Sequence, residues 1–506
     1  MGIIIRQSFK STLISYIGIA IGMINVLWLM PEFFSPEEVG LFRLLQDIPI
    51  MIASFMQFGA ANIADRFFPR FKTEDGTNKG FLFLLLTYPL LGYLIFLLTY
   101  WIFNTDIAAI YANKSPLFID YMHFLIPLSL FLMYSSLFET YSRMHLRIVV
   151  PTFIREIIFR ILFVLLIAGY ALQFYSFNFT IILYVISYGL ALALLVIYTI
   201  STMHFFLKPQ LHFLDKPILK NIFSFVAFII PGSAGSLIAS KIDTLIIGAE
   251  LGLAEIGIYN LAFFIGSVVD MPKRALSQIS TPIISNAWNR NDLAEIDTIY
   301  KKSAINQALL GGLIFLMIWL NVDTLLALVP KHEIYAQGKY VILFIALGKL
   351  ADMATGVNSE IILTSKYYKF NLISMIILSI LSVITNLIFI NMYGINGVAL
   401  ATGLTLVVFN GIKMIFLWLK LGIQPYTSSM VKLISVFVLV WICFSFWNPL
   451  TTDSLVYSIS LIAIKSVCIA LVYVSLIYVL SISQDFNHTF KNIASIIKTF
   501  KAESKK

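Results

Sequence analysis

The chain has 506 residues, of which 59% are hydrophobic and only 12% charged, with a mean hydropathy of +0.90 and a formal net charge of +9. No soluble globular chain of this size needs so much apolar surface, which excludes a soluble enzyme or binding domain. The positive balance fits basic residues gathered in cytoplasmic loops of a membrane protein better than a nucleic-acid partner, and none is expected.

Arg6 and Lys10 precede the first apolar stretch, which is span-length and lacks a small-residue cleavage site. It predicts a transmembrane helix, not a signal peptide. Apolar runs of about 20 residues, long enough to cross a ~30 Å hydrocarbon core, then recur to the end of the chain. The first half holds spans at 11–31, 41–63, 79–103, 117–139, 149–172 and 178–203. The second holds 220–247, 257–284, 303–329, 339–363, 370–391 and 396–419, and a last pair follows at 430–448 and 455–482. The expected fold class is an all-α polytopic membrane protein of fourteen transmembrane helices. Its expected parts are a six-helix lobe (1–212), a second six-helix lobe (213–424), accessory helices (425–483) and a basic cytoplasmic tail (484–506). In that tail Phe486, Phe490, Ile493, Ile497 and Phe500 recur at helical spacing between lysines, the pattern of an amphipathic helix on an anionic leaflet.

Loop charge tests the span count. Alternate loops carry Arg6 and Lys10, then Arg66, Arg70, Lys72 and Lys79, then Arg143 and Arg147, and so on to the tail lysines; the other set carries little beyond Lys114, Lys331 and Lys339. This positive-inside pattern predicts a multi-pass protein with cytoplasmic N- and C-termini. Six spans per half also bring the seventh helix in along the direction of the first, so the two repeats are expected to be parallel. One phrase supports the duplication: Glu38-Val39-Gly40-Leu41-Phe42 returns as Glu255-Ile256-Gly257-Ile258-Tyr259, each copy in a short turn between long apolar segments. A substrate site at the interface of duplicated halves is a common transporter plan.

Ionisable residues inside spans cost roughly 2.5–3.5 kcal/mol on insertion scales and face a bundle interior or wet cavity. Here they come in pairs on one helix face: Arg43 with Asp47, Asp270 with Arg274, Glu156 with Arg160, and Lys349 with Asp352. Each pair could simply neutralise itself and glue helices together. Lys241, Lys273, Lys413 and Arg155 add further positive charge, so the set as a whole suggests a cavity that attracts an anion, with phosphate the obvious candidate. Lys465 stands alone on the last span and could serve only the accessory helices. The run Pro231-Gly232-Ser233-Ala234-Gly235 in the seventh span reads either as a hinge or as a static kink.

Other chemistry has no signature. There is no phosphate-cradling Gly-rich loop with Lys and Ser/Thr, so ATP hydrolysis is excluded. The six histidines make no metal spacing, and Cys443 and Cys468 lie within apolar runs as membrane thiols. The stretches around 104–116 and 330–338 are too short to form a catalytic loop over a sugar polymer. No enzyme activity, metal or cofactor is expected.

The run Asp243 to Gly248, then Leu251-Gly252, then Glu255 to Tyr259, resembles the signature of polysaccharide-biosynthesis flippases of the Wzx type, in the MOP exporter superfamily. Tyr393 to Gly397 followed by Val398-Ala399-Leu400-Ala401-Thr402 resembles a later signature of the same family. The resemblance covers nearly the whole chain. It implies MATE-like lobes in a V around a cationic cavity, in the bacterial inner membrane. It implies transport, by alternating access, of an undecaprenyl-diphosphate-linked oligosaccharide, the repeat unit of an O-antigen, capsule or exopolysaccharide such as that of lipopolysaccharide. The partners so implied are this lipid-linked glycan, membrane lipids and the polymerase or assembly proteins downstream. Energy would come from H+ or Na+ coupling. On this reading Arg43, Lys273, Arg274, Lys349, Arg160 and Lys241 are cavity cations for the diphosphate. Asp47, Asp270, Asp352, Glu156 and Asp243 tune those cations or exchange with coupling protons, and Pro231, Gly232 and Gly235 form the hinge. A lipid II-type flippase, which shares the fourteen-span plan, and a multidrug or ion antiporter of the same superfamily remain alternatives.

Overall fold

The computed structural model describes residues 2–203, 205–210, 216–447 and 455–488. From residue 489 onward the amphipathic tail helix expected over 484–506 lies outside the described residues. No strand occurs among the described residues, and twelve of their helices are long and apolar enough to cross a membrane. Large apolar side chains such as Trp101 and Leu439 lie exposed on them, as lipid-facing surfaces require. The protein is a multi-pass membrane protein.

The longer helices are α1 (Gly2–Ile24), α2 (Pro36–Met56), α3 (Ala60–Phe71), α4 (Phe81–Ala112), α5 (Leu125–Met144), α6 (Phe159–Ala171), α7 (Phe177–Thr202) and α8 (Lys216–Glu250). They continue as α9 (Leu253–Ser267), α10 (Met271–Asn289), α11 (Leu293–Trp319), α12 (Lys339–Ala354), α13 (Tyr368–Leu421), α14 (Ser428–Ser445) and α15 (Leu455–Val479). Several predicted spans are not one continuous helix each. The span expected at 149–172 is helical in three pieces, Val149–Phe153, a π-helical turn Ile154–Ile158, and α6. The spans expected at 370–391 and 396–419 share α13, whose backbone leaves helical geometry at Gly394 (φ 57°, ψ −137°). A straight helix would put Phe389 and Gly397 about 12 Å apart. Instead the Phe389 carbonyl lies against Gly397, and the Thr385 and Thr405 hydroxyls meet at 3.1 Å, so the two arms of α13 fold back on each other.

The chain divides into two compact units, Met1–Leu261 and Ala262–Lys506. In the first unit, α2 starts with a reciprocal cap. Ser35 Oγ accepts from the Glu38 amide (3.2 Å) and Glu38 Oε2 accepts from the Ser35 amide (2.7 Å), with Pro36 at the first helical position. Two residues on, Gly40 meets the start of α9. A Cβ there would lie 1.9 Å from the Leu253 carbonyl oxygen, and a Cβ on Gly257 would lie 2.3 Å from that of Pro36. Each copy of the phrase thus lies in the opening turns of a helix, not in a turn between helices as expected, and its glycine meets the backbone at the start of the helix that carries the other copy, an approach that glycine permits.

The second span is discontinuous. α2 ends at Met56 and α3 begins at Ala60, with Phe58 (φ 44°) and Gly59 (φ 74°) left-handed between them. By contrast α8 runs unbroken through Pro231, Gly232 and Gly235.

In the second unit α11 packs against the last two helices through a core that includes Leu309, Leu316, Leu433, Val440 and Ile469. Tyr473, fully buried, donates to the Leu309 carbonyl at 3.1 Å. Lys465 is also buried, its Nζ donating to the carbonyls of Leu320 (2.5 Å) and Trp447 (2.8 Å). Its charge is spent joining α15 to its neighbours.

Candidate functional site

The intramembrane charges collect into three groups. In the first unit, α2 buries Asp47 completely. Arg43 Nε lies 2.7 Å from its Oδ2, Lys241 Nζ of α8 lies 2.5 Å from its Oδ1, and Thr244 Oγ1 donates to Oδ2 at 3.1 Å. The Arg43–Asp47 pair is the one expected from the spacing; Lys241 comes to it from 194 residues along the chain. One carboxylate therefore faces two cations, both partly exposed. Next to Thr244 in sequence, buried Asp243 accepts from the hydroxyl of Tyr259 at 2.5 Å. Tyr259 is the aromatic residue of the second repeated phrase, which gives that position a polar role as well as an apolar one.

A second group flanks the π-helical turn. Glu156 accepts from Arg160 Nη2 (2.8 Å) and from Arg155 Nε (3.1 Å), and Arg155 also pairs with Glu139 at 2.6 Å. Arg160 further donates to the Gly18 carbonyl of α1. The expected Glu156–Arg160 pair is present, but its arginine is occupied in tying α6 to α1.

The third group, in the second unit, corrects the pairing expected from spacing. Asp270 does not pair with Arg274, nor Lys349 with Asp352. Lys349 Nζ lies 2.9 Å from Asp270 Oδ2, and Lys273 Nζ lies 2.5 Å from Asp352 Oδ2. Val268–Asp270 is a 3₁₀ turn leading into α10, so the four-residue register between positions 270 and 274 is broken. Both cross-helix pairs join residues 79 apart, which requires this segment and α12 to run in the same direction. Arg274 is exposed and makes no ion pair among the described residues. Asp352 also accepts from Asn410 Nδ2 (2.8 Å), and Asn410 accepts in turn from Asn358 (3.0 Å). Lys413, 1% exposed, donates to Ser359 Oγ at 2.6 Å and lies 3.7 Å from the centroid of the Phe409 ring. The neutral members of this network, Asn358, Ser359 and Asn410, carry no sequence signal, because an amide inside an apolar run has no periodic partner to betray it.

In the first unit Arg43 and Lys241 are matched by Asp47 and Asp243, whereas in the second Lys273, Arg274, Lys349 and Lys413 outnumber Asp270, Asp352 and Glu360. Such a partly wet, cation-rich cluster inside a membrane bundle can hold a multiply charged anion such as a diphosphate. Among the described residues no group of three or more His, Cys, Asp or Glu side chains has the geometry to hold a metal ion.

A family model described as a polysaccharide biosynthesis protein matches residues 5–288, more than half of the chain. The chain belongs to this family. A MatE model matches residues 229–388 as well. Among relatives of the polysaccharide biosynthesis family member described here is the probable low-salt glycan biosynthesis flippase Agl15 of Haloferax volcanii. The two are 24% identical over 198 residues, which is 38% of this chain and 42% of that protein. The chain thus spans less than half the length of this curated relative. Lipid II flippase MurJ, in an inward closed conformation, superposes with a TM-score of 0.72 at 16% identity, over 94% of this chain and 99% of that one. An inward-facing multidrug resistance MATE family transporter of the MOP superfamily does so at 0.61 and 14% identity, over 78% and 92%. At such identities the likeness establishes the fold, a MATE/MurJ-like helical bundle.

Proposed function

We propose that this protein is a flippase that carries a lipid-linked oligosaccharide, on an undecaprenyl diphosphate anchor, across the bacterial inner membrane. The observation that carries this reading is the excess of cations over carboxylates within the spans of a member of the polysaccharide biosynthesis family. A diphosphate needs that excess; a cationic drug needs the reverse, which weighs against the antiporter. The glycan-flippase relative supports an oligosaccharide over a peptidoglycan precursor, while the MurJ-like fold keeps lipid II as the second reading.

In the proposed cycle Arg43, Lys241, Lys273 and Lys349 exchange their carboxylate partners for phosphate oxygens, and Arg274, which holds no carboxylate among the described residues, adds a further cation. Asp47, Asp270 and Asp352 are left to take up H+ or Na+, which couples transport to an ion gradient. The protein performs no covalent chemistry. Fourteen spans with both termini cytoplasmic, and bending at Pro231, Gly232 and Gly235 during alternating access, complete the proposal. Polymerase or assembly proteins would receive the product.

The test is reconstitution of the full chain into vesicles with fluorescent undecaprenyl-diphosphate oligosaccharide. Protein-dependent exchange of label between leaflets is expected, and Arg274→Ala should abolish it without loss of protein from the membrane. No exchange by the wild-type chain under either an H+ or a Na+ gradient would refute the reading.

A further inference from the structure

The discontinuity in the second span has a counterpart across from it. Gln57, Phe58 and Gly59, where the helix is interrupted, and Ile230, Ser233 and Leu237 of α8 together line a cavity of about 230 Å³ in the first unit. Irregular backbone within a membrane protein is tolerated where it lines a cavity or is covered by protein, and in transporters broken helices lie at binding sites. The polar lining consists of Ser54, Gln57, Asn62, Ser136 and Ser233, all neutral. Phe55 and Phe58 add aromatic rings, and no charged side chain lines the space.

The lining chemistry selects the ligand. Without charge, the cavity has nothing to offset the desolvation of a phosphate or an ammonium group. Hydroxyl and amide groups both donate and accept, which matches a ligand with many hydroxyls, and an aromatic face suits the C–H side of a saturated ring. Size agrees: at ~30 Å³ per water the space holds several waters, about the bulk of one sugar ring. It lies below the ~300–1,000 Å³ of pockets for drug-sized ligands. Position agrees too. Along α2, Gln57 lies about 15 Å from Asp47, and along α8, Ser233 lies about 12 Å from Lys241. Two helices thus place the neutral cavity at a consistent distance from the cation cluster, as an elongated ligand with a charged end and a neutral end requires.

We infer that this cavity seats a neutral sugar ring of the transported glycan, some way along the oligosaccharide from its diphosphate. The inference rests on the flippase reading above and adds where the sugar is held. Gln57 and Asn62 supply the amides, Ser54, Ser136 and Ser233 the hydroxyls, and Phe58, displaced by its left-handed backbone, an aromatic wall.

The test measures binding of two probes to the purified full-length protein in nanodiscs: undecaprenyl diphosphate bearing a neutral trisaccharide, and undecaprenyl diphosphate alone. Wild type should bind the glycosylated probe more tightly. Gln57→Leu with Asn62→Leu should weaken that binding about tenfold or more, while binding of the bare lipid stays unchanged and so reports intact protein. Should that pair fail to fold, Ser54→Ala with Ser233→Ala removes hydroxyls without adding bulk and should show the same selective loss. Equal binding of the two probes by wild type, or equal effects of the substitutions on both, would overturn the sugar seat and leave the flippase reading standing. Binding of neither probe by wild type would overturn both.

Discussion

Adding one methyl group to the repeated phrase should open the crossing of α2 and α9. In Gly40→Ala the new Cβ would lie 1.9 Å from the Leu253 carbonyl oxygen, against 3.4 Å for ordinary contact, so the two backbones must part by about 1.5 Å. Because the obstacle is backbone, no side-chain rotation relieves it. Overpacking of this kind costs about 1–3 kcal/mol, and the upper end applies here. Intrinsic helix preference pulls the other way, since Ala replacing Gly within a helix gains about 0.5–1 kcal/mol. The sign of the net effect is therefore diagnostic: destabilisation by about 2 kcal/mol if the crossing is as described, stabilisation if it is not. Gly257→Ala should behave alike, its Cβ 2.3 Å from the Pro36 oxygen. The double variant should cost less than the sum, because one separation accommodates both methyl groups. Thermal unfolding of the purified protein, followed by loss of the monodisperse chromatographic peak, measures all three. A raised melting temperature for Gly40→Ala, or strictly additive losses, would refute the reasoning.

Other expectations follow from the charged groups. Asp47→Ala leaves Arg43 and Lys241 facing one another without a carboxylate and should destabilise the protein by about 3–5 kcal/mol, whereas Lys241→Met leaves the Arg43–Asp47 pair intact and should cost much less in the same melting assay. Exchanging Asp270 and Lys349 tests the cross-helix pairing. Asp270→Lys or Lys349→Asp alone should abolish glycan display, and the two together should restore a measurable part of it; no restoration would remove that pair as the functional contact. In the exposed loop between α3 and α4, hydrogen bonds from Thr73 and Thr77 hold the Asp75 carboxyl below the usual carboxylate range. Its contribution is present above the unfolded value and lost as pH falls through the lower folded value. Exchange protection of the Thr77 amide, which Asp75 accepts at 3.0 Å, should therefore fall in acid, and Asp75→Asn should remove that pH dependence.

Sequence alone conveys a membrane protein built of apolar helices, because the lipid core imposes length and hydropathy on each segment separately. The same locality made the Arg43–Asp47 and Glu156–Arg160 pairs legible, since both partners share one continuous helical face. It misled at Asp270 and Asp352, whose partners lie on a different helix in a register that no local spacing records. Pro231 reads as a hinge or a static kink, and α8 continues through it as helix. The interruption falls at Phe58 and Gly59, where a lone glycine in an apolar run gives little warning. The recurrence of the phrase is legible in the sequence, but not that each glycine lies against the backbone at the start of the helix that carries the other copy.

The Asp47 cluster also bears on how the chain is made. Arg43 and Asp47 emerge together and neutralise one another one turn apart, so the second span can enter the bilayer without a bare charge. Lys241 follows 194 residues later, which at about 5–20 residues per second is roughly 10–40 s of synthesis. Lys241 can reach the Asp47 carboxylate only after α2 to α7 have been made, so the second cation joins the site late. The order of the residues along the chain thus postpones completion of the site until most of its unit has been made.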